Sequence, residues 1–169
     1  MKPMVLVKVF HEFNKKKVRY LVAGGVAVTF YGNPRFTKDL DIMVDLREEN
    51  LQKLIAAFKK LKFIPRIPVK PEEFISKANR DKWFREKGML AFTFINPKNP
   101  FENIDILFRS PVSFQKAYKS RKIFVSKGVR IPTVSRSHLI RMKRQAGRLH
   151  DLQDIAILKQ AARTLRKSR

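Results

Sequence analysis

The sequence has no cysteine, one tryptophan, six glycines, and only 14 acidic residues against 38 basic ones among 169 positions. Without thiols there can be no disulfide framework and no thiolate metal site, so any bound metal must rely on oxygen or imidazole ligands. The missing disulfides also fit a reducing interior. Long apolar runs are absent as well: Met4 to Val7 is cut by Lys8 and is far too short for a bilayer span or a secretory core. The expectation is a soluble, cytoplasmic protein with no membrane partner. An apolar content of 44% allows one sizeable core, or one core with a helical annex.

The shortage of acid leaves a formal charge of +24, which demands acidic partners or a dense counterion cloud. Between Ile106 and His150 there are twelve Lys or Arg and no Asp or Glu. Such a segment attracts phosphate strongly, so nucleic acid is the leading partner class and a merely solvated basic surface the plainer alternative. An anionic membrane would need an amphipathic anchor that the sequence does not show.

Apolar spacing predicts an opening helix over Pro3 to Lys15, a short buried strand over Arg19 to Ala23, and an apolar helix that begins at Gly24-Gly25 and ends near Gly32-Asn33-Pro34. Asp39 to Val44 alternates strictly, with Leu40, Ile42 and Val44 on one face and Asp39, Asp41 and Met43 on the other. Arg47 to Lys62 reads as an amphipathic helix with Glu48 and Glu49 in its first turn. A proline-interrupted crossover follows from Phe63, resuming as a polar helix around Asn79 to Glu86. Met89 to Ile95 and Asn103 to Phe108 form a hairpin across the turn Asn96 to Pro100. The sheet is therefore mixed, which makes the fold class α+β. After Pro111 the reading is a helix over Val112 to Lys119, a small hairpin turning at Lys127-Gly128, and one long helix from Ser135 to Leu165 bent near Gly147.

Asp39 and Asp41 lie two apart on a strand, so both carboxylates leave the same face, roughly 7 Å apart along the chain. Aspartate is disfavoured in strands and two on one face repel, so a purely structural pair is costly unless it is a solvent-facing pair on an exposed edge. A hard cation with oxygen ligands removes the repulsion, and Mg²⁺, held by one or two carboxylates plus phosphates, suits the pattern better than zinc. A third carboxylate, Asp105, sits on another predicted strand. If the two strands are neighbours, three carboxylates converge and can hold two ions for an in-line phosphoryl displacement. Gly24-Gly25, between a buried strand and a helix, can offer backbone N–H groups to a triphosphate with no side chain in the way. The three histidines, His11, His138 and His150, match no ligand spacing, and Trp83 and most of the phenylalanines fall on apolar faces, where core packing is the better reading.

Gly24-Gly25, then Arg35, Thr37, Asp39 and Asp41, with Asp105 later, resembles the DNA polymerase beta-type nucleotidyltransferase superfamily, and more narrowly its AbiEii-like, toxin–antitoxin type branch. A further run matching that family is Lys143, Arg148, Asp151 and Asp154, so the resemblance spans Arg19 to Leu158. It implies a nucleotidyltransferase-type mixed sheet with flanking helices over residues 1–111 and a basic, mainly helical part over 112–169. It also implies NTP as substrate, Mg²⁺ on Asp39, Asp41 and Asp105, and nucleotide contacts from Gly24, Gly25, Arg35, Thr37, Lys143, Arg148, Asp151 and Asp154. Many members carry a serine in or just after the glycine pair, where this chain has Val26.

The expected function is Mg-dependent transfer of an NMP from an NTP to a hydroxyl. The basic chain favours RNA, including a tRNA end, over a cationic aminoglycoside as acceptor. The alternative is a catalytically inactive nucleotidyltransferase fold that binds nucleic acid. A toxin–antitoxin type protein partner is the third expectation. Arg148, Asp151 and Asp154 are spaced either as a second wall of the site or as an ordinary ion-pair ladder on one helix face.

Overall fold

The computed structural model describes residues 3–32, 37 and 39–167. In chain order these form α1 (Pro3–Lys15), β1 (Tyr20–Val22), α2 (Gly24–Phe30), β2 (Asp39–Val44), α3 (Glu48–Leu61), β3 (Ile64–Pro65), a 3-10 turn over Pro71–Ile75 and α4 (Lys77–Lys87). The hairpin β4 (Ala91–Asn96) and β5 (Asn99–Leu107) follows, then α5 (Phe114–Lys119), β6 (Lys122–Ser126), β7 (Val129–Thr133), α6 (Arg136–Ala146) and α7 (Leu149–Lys167).

The seven strands make one mixed sheet in the order β3-β4-β5-β2-β1-β7-β6. Register decides which residues share a face. Strands β2 and β5 run parallel with Asp41 opposite Asp105 and Ile42 opposite Ile106, while β4 runs antiparallel to β5 with Phe94 opposite Ile104 and Thr93 opposite Asp105. The period-2 alternation therefore sorts Leu40, Ile42, Phe92, Phe94, Ile104 and Ile106 to one side, all fully buried. Helix α3 covers that side: the ring of Phe58 stacks on Phe94 at 4.1 Å and meets Phe13 of α1 edge-on at 5.5 Å. Rings in such contact add roughly 1 kcal/mol per pair beyond their area burial. The other side of β2, β4 and β5 carries Asp39, Asp41, Thr93, Asn103 and Asp105.

Three differences from the sequence reading have physical causes. The hairpin after α5 is not part of a helical annex; Val22 pairs in parallel with Thr133, so the strands extend the same sheet across position 111. Residues Asn99 to Phe101 belong to β5, because the turn tightens to Pro97-Lys98 and Asn96 pairs with Asn99 across a register shift. The long terminal helix is two helices. Gly147 at φ 65° ends α6 in a left-handed turn that a residue with a side chain adopts at a cost, and α7 then packs back against α6.

At the C-terminal end of β2, Asp45 is almost fully buried and ion-pairs at 2.8 Å with both Arg19 and Arg47. Burial alone would raise its pKa, but the hydrogen bonds from Arg47 and the two cations hold the carboxyl below its usual range. Arg19 also lies over the rings of Tyr118 and Phe114, which ties α5 to the sheet.

Candidate active site

A cleft of about 600 Å³ opens over the polar side of the sheet, between β2, β4, β5, the start of α2 and the α6–α7 corner. It is lined by Gly24, Gly25, Thr37, Asp39, Asp41, Asp105, Lys143, Arg148 and Asp151 among others. Asp154 is buried behind it against Lys143, and Arg35 lies outside the described residues.

The carboxylates are positioned by neighbours on the same sheet face. Asn103 Nδ2 donates to Asp39 Oδ1 at 2.9 Å, and Thr93 Oγ1 donates to Asp105 Oδ1 at 2.6 Å. The backbone N–H of Ala23 donates to the Asp41 carbonyl at 2.8 Å, which brings the start of α2 against β2. Gly24 then sits at φ 57° directly beside the Asp41 carboxylate, with no room for a Cβ. The glycine is required here for the aspartate's sake. Thr37 spends its hydroxyl locally, donating to the Asp39 carbonyl at 3.0 Å.

Desolvation raises the pKa of Asp41 to about 6; nearby Asp105 and Asp39 push the same way, while Lys143 and Arg148 oppose them. Asp105 is also raised, mainly by desolvation and further by Asp39, against the Thr93 hydrogen bond and the charges of Arg66 and Arg148. Excess negative charge is thus concentrated where the two strands meet. Beside it the buried Oδ1 of Asn103 has no hydrogen-bond partner among the described residues. Clustered carboxylates and an orphaned amide oxygen are the donor set of a hard cation.

The second wall differs from its sequence reading. Because the helix breaks at Gly147, Asp151 and Asp154 face back to α6, and Lys143 Nζ pairs with both at 3.0 and 2.7 Å in a nearly closed site. Asp151 Oδ2 also accepts the Arg148 backbone N–H at 3.3 Å. His150, to which the sequence assigned no chemistry, lines the cleft with Nε2 3.7 Å from Asp151. Val26 lies in the core, so a side chain at that position does not reach the cleft.

A family model described as nucleotidyl transferase AbiEii toxin, type IV TA system, matches residues 10–167. The chain belongs to the AbiEii nucleotidyltransferase family. No curated protein matches it in sequence. Among solved structures this AbiEii chain is similar to the lincosamide antibiotic adenylyltransferase LnuA with lincomycin bound, at TM-score 0.61 and 16% identity over 94% of this chain and 97% of that one. It is likewise similar to ANT(2'')-Ia in complex with adenylyl-2''-tobramycin, at TM-score 0.62 and 13% identity over 95% and 90%. A third is a putative nucleotidyltransferase from Thermotoga maritima, at TM-score 0.57 and 16% identity over 98% and 92%. At these identities the likeness speaks for the fold.

Two residues that hold the carboxylates, Asn103 and Thr93, were missed by sequence reasoning. Asn103 was within reach, since it stands two before Asp105 on the same strand and so shares its face. Thr93 was not, because its place opposite Asp105 depends on the β4–β5 register.

Proposed function

We propose that this chain transfers an NMP from an NTP to a hydroxyl of RNA, with Mg²⁺ held by Asp39, Asp41 and Asp105. The observation that carries the reading is the in-register pair Asp41 and Asp105, with Asp39 on the same face, set against Gly24 in one cleft. Among the described residues no three acidic or imidazole groups already converge on one ion position. A cation here takes one or two carboxylates and completes its shell with water and phosphate oxygens, which is the habit of Mg²⁺. When bound, it would neutralise charge on the phosphoryl oxygens in flight.

The acceptor oxygen attacks the α-phosphorus, the bond to the β-phosphate oxygen breaks, and pyrophosphate leaves. Asp105 takes the hydroxyl proton, a role suited to a carboxylate whose pKa is raised. Gly24 and Gly25 face the triphosphate, with Thr37 beside it, and Arg35 is a further phosphate ligand in this reading; Arg148 offers a cation to the phosphates, and Lys143, locked by Asp151 and Asp154, holds that wall in place. Exposed Arg141 and Arg144 of α6 and Arg148 at the α6–α7 corner favour an anionic acceptor such as RNA over the cationic tobramycin of ANT(2'')-Ia. The family's description adds an antitoxin as a partner.

The test is incubation of folded protein with radiolabelled NTPs, Mg²⁺ and total RNA. Label should enter RNA with at least one nucleotide and be lost with Asp41→Asn; no transfer under any nucleotide overturns the reading.

A further inference from the structure

Beyond Asp105, away from the glycine turn, the cleft has a wall that phosphate and carboxylate chemistry leaves unused. Asp105, Leu107 and Arg109 all line the cleft, with Arg109 in the bend just past the end of β5. The backbone N–H groups of Phe108 and Arg109 both donate to the Leu90 carbonyl at 3.2 Å, which pins this segment beside the start of β4. The Arg109 guanidinium lies over the ring of Phe84, 4.7 Å from its centroid, and Nη2 donates to Asp81 Oδ1 at 2.6 Å.

Phe84 has no core role. Its neighbour Trp83 is buried and stacks on Phe92 at 5.0 Å, and one residue further round α4 the chain turns Phe84 to the cleft, where it is 40% exposed. Leu90, 56% exposed, lines the same cleft. The guanidinium carbon thus lies over an aromatic ring while one guanidinium nitrogen is held by a carboxylate, on a wall of the cleft.

We propose that Phe84 and Arg109 form a stacking shelf for a nucleobase of the acceptor, which is therefore single-stranded RNA with its terminal hydroxyl presented toward Asp105. The inference rests on the nucleotidyltransferase reading of this cleft. Unpaired bases stack on aromatic rings and on arginine planes, and every base offers a face for it. An aminosugar is neither flat nor anionic, and Arg109 repels its ammonium groups. The base of the NTP is not the occupant. Its phosphates lie at Gly24 and Gly25, where α2 packs on β2 and against α6, whereas the shelf stands at β4 and β5 across Asp105.

An RNA oligonucleotide with 2-aminopurine as its 3'-terminal base reports stacking by loss of fluorescence. Wild type and Phe84→Tyr should quench it, and Phe84→Ala should abolish quenching and weaken binding about tenfold. An oligonucleotide with an abasic 3' end should bind wild type as weakly as the intact one binds Phe84→Ala, with no further loss in that variant. Equal quenching by wild type and Phe84→Ala overturns the shelf, as does a further loss with the abasic strand. Label transfer to RNA with an acceptor KM that Phe84→Ala leaves unchanged also sinks the shelf while keeping the transferase. Phe84-dependent quenching in a wild type that transfers no label keeps the shelf and sinks the transferase.

Discussion

A Cβ on Gly24 would lie 1.8 Å from Oδ2 of Asp41 and 2.5 Å from its Cγ. The contact joins the glycine turn to the carboxylate cluster, because the first residue of α2 and the middle of β2 share the same space. Gly24→Ala must therefore displace the aspartate as well as adopt a left-handed φ that costs about 1–2 kcal/mol. We expect the melting temperature to fall by roughly 3–8 °C and nucleotide transfer to drop about 100-fold or more. A variant with wild-type turnover would show that Asp41 does not need its present position.

Asp41 titrates near 6 in the folded protein, above its ordinary value of 3.8, because its ionised form is desolvated and repelled by Asp105 and Asp39. Its stabilising contribution is complete below the unfolded value and is lost as pH rises through about 6. Asp41→Asn should therefore be more stable than wild type at pH 7.5, and the advantage should vanish toward pH 4, while activity is absent throughout. Thermal melts of both proteins at a series of pH values measure this. A difference that is constant with pH would contradict it. For the same reason Mg²⁺ affinity of the wild type, followed by calorimetry, should weaken as pH falls below about 6.

Thr93→Val removes a 2.6 Å donor from Asp105 while keeping nearly the same shape. Thr93 lowers a carboxyl pKa that burial raises, so its loss should raise that pKa further. The acid limb of the pH–rate profile should move to higher pH, with little change in NTP KM. An unshifted limb would remove Asp105 from proton transfer.

Lys143 is 6% exposed and joins Asp151 and Asp154 across the α6–α7 break. Lys143→Met removes the cation that faces two buried carboxylates and should cost about 3–5 kcal/mol in urea denaturation. Adding Asp151→Asn and Asp154→Asn should recover most of that loss, since coupled sites are not additive. Full recovery of stability without recovery of NTP KM would assign Lys143 to the substrate as well as to the wall.

Several features were readable from pattern alone. The alternation of Asp39 to Val44 placed two aspartates on one face, the absence of cysteine limited the ligand chemistry, and the amphipathic period of Arg47 to Lys62 marked a helix that covers the sheet. These are local properties, because strand and helix periods act on residues adjacent in sequence. Register is different: nothing within FENIDILF says that Asp105 meets Asp41 and Thr93 rather than their neighbours, and a slip of one residue would turn it to the buried side. Gly147 was visible as a bend, yet whether the chain bends or reverses was decided by Lys143 finding two carboxylates across the break. For the glycine turn itself, the sequence determined that side-chain-free residues stand between strand and helix. That the missing side chain makes room for Asp41 was decided only when β1 and β2 paired, because a close approach between residues 17 positions apart is a property of packing.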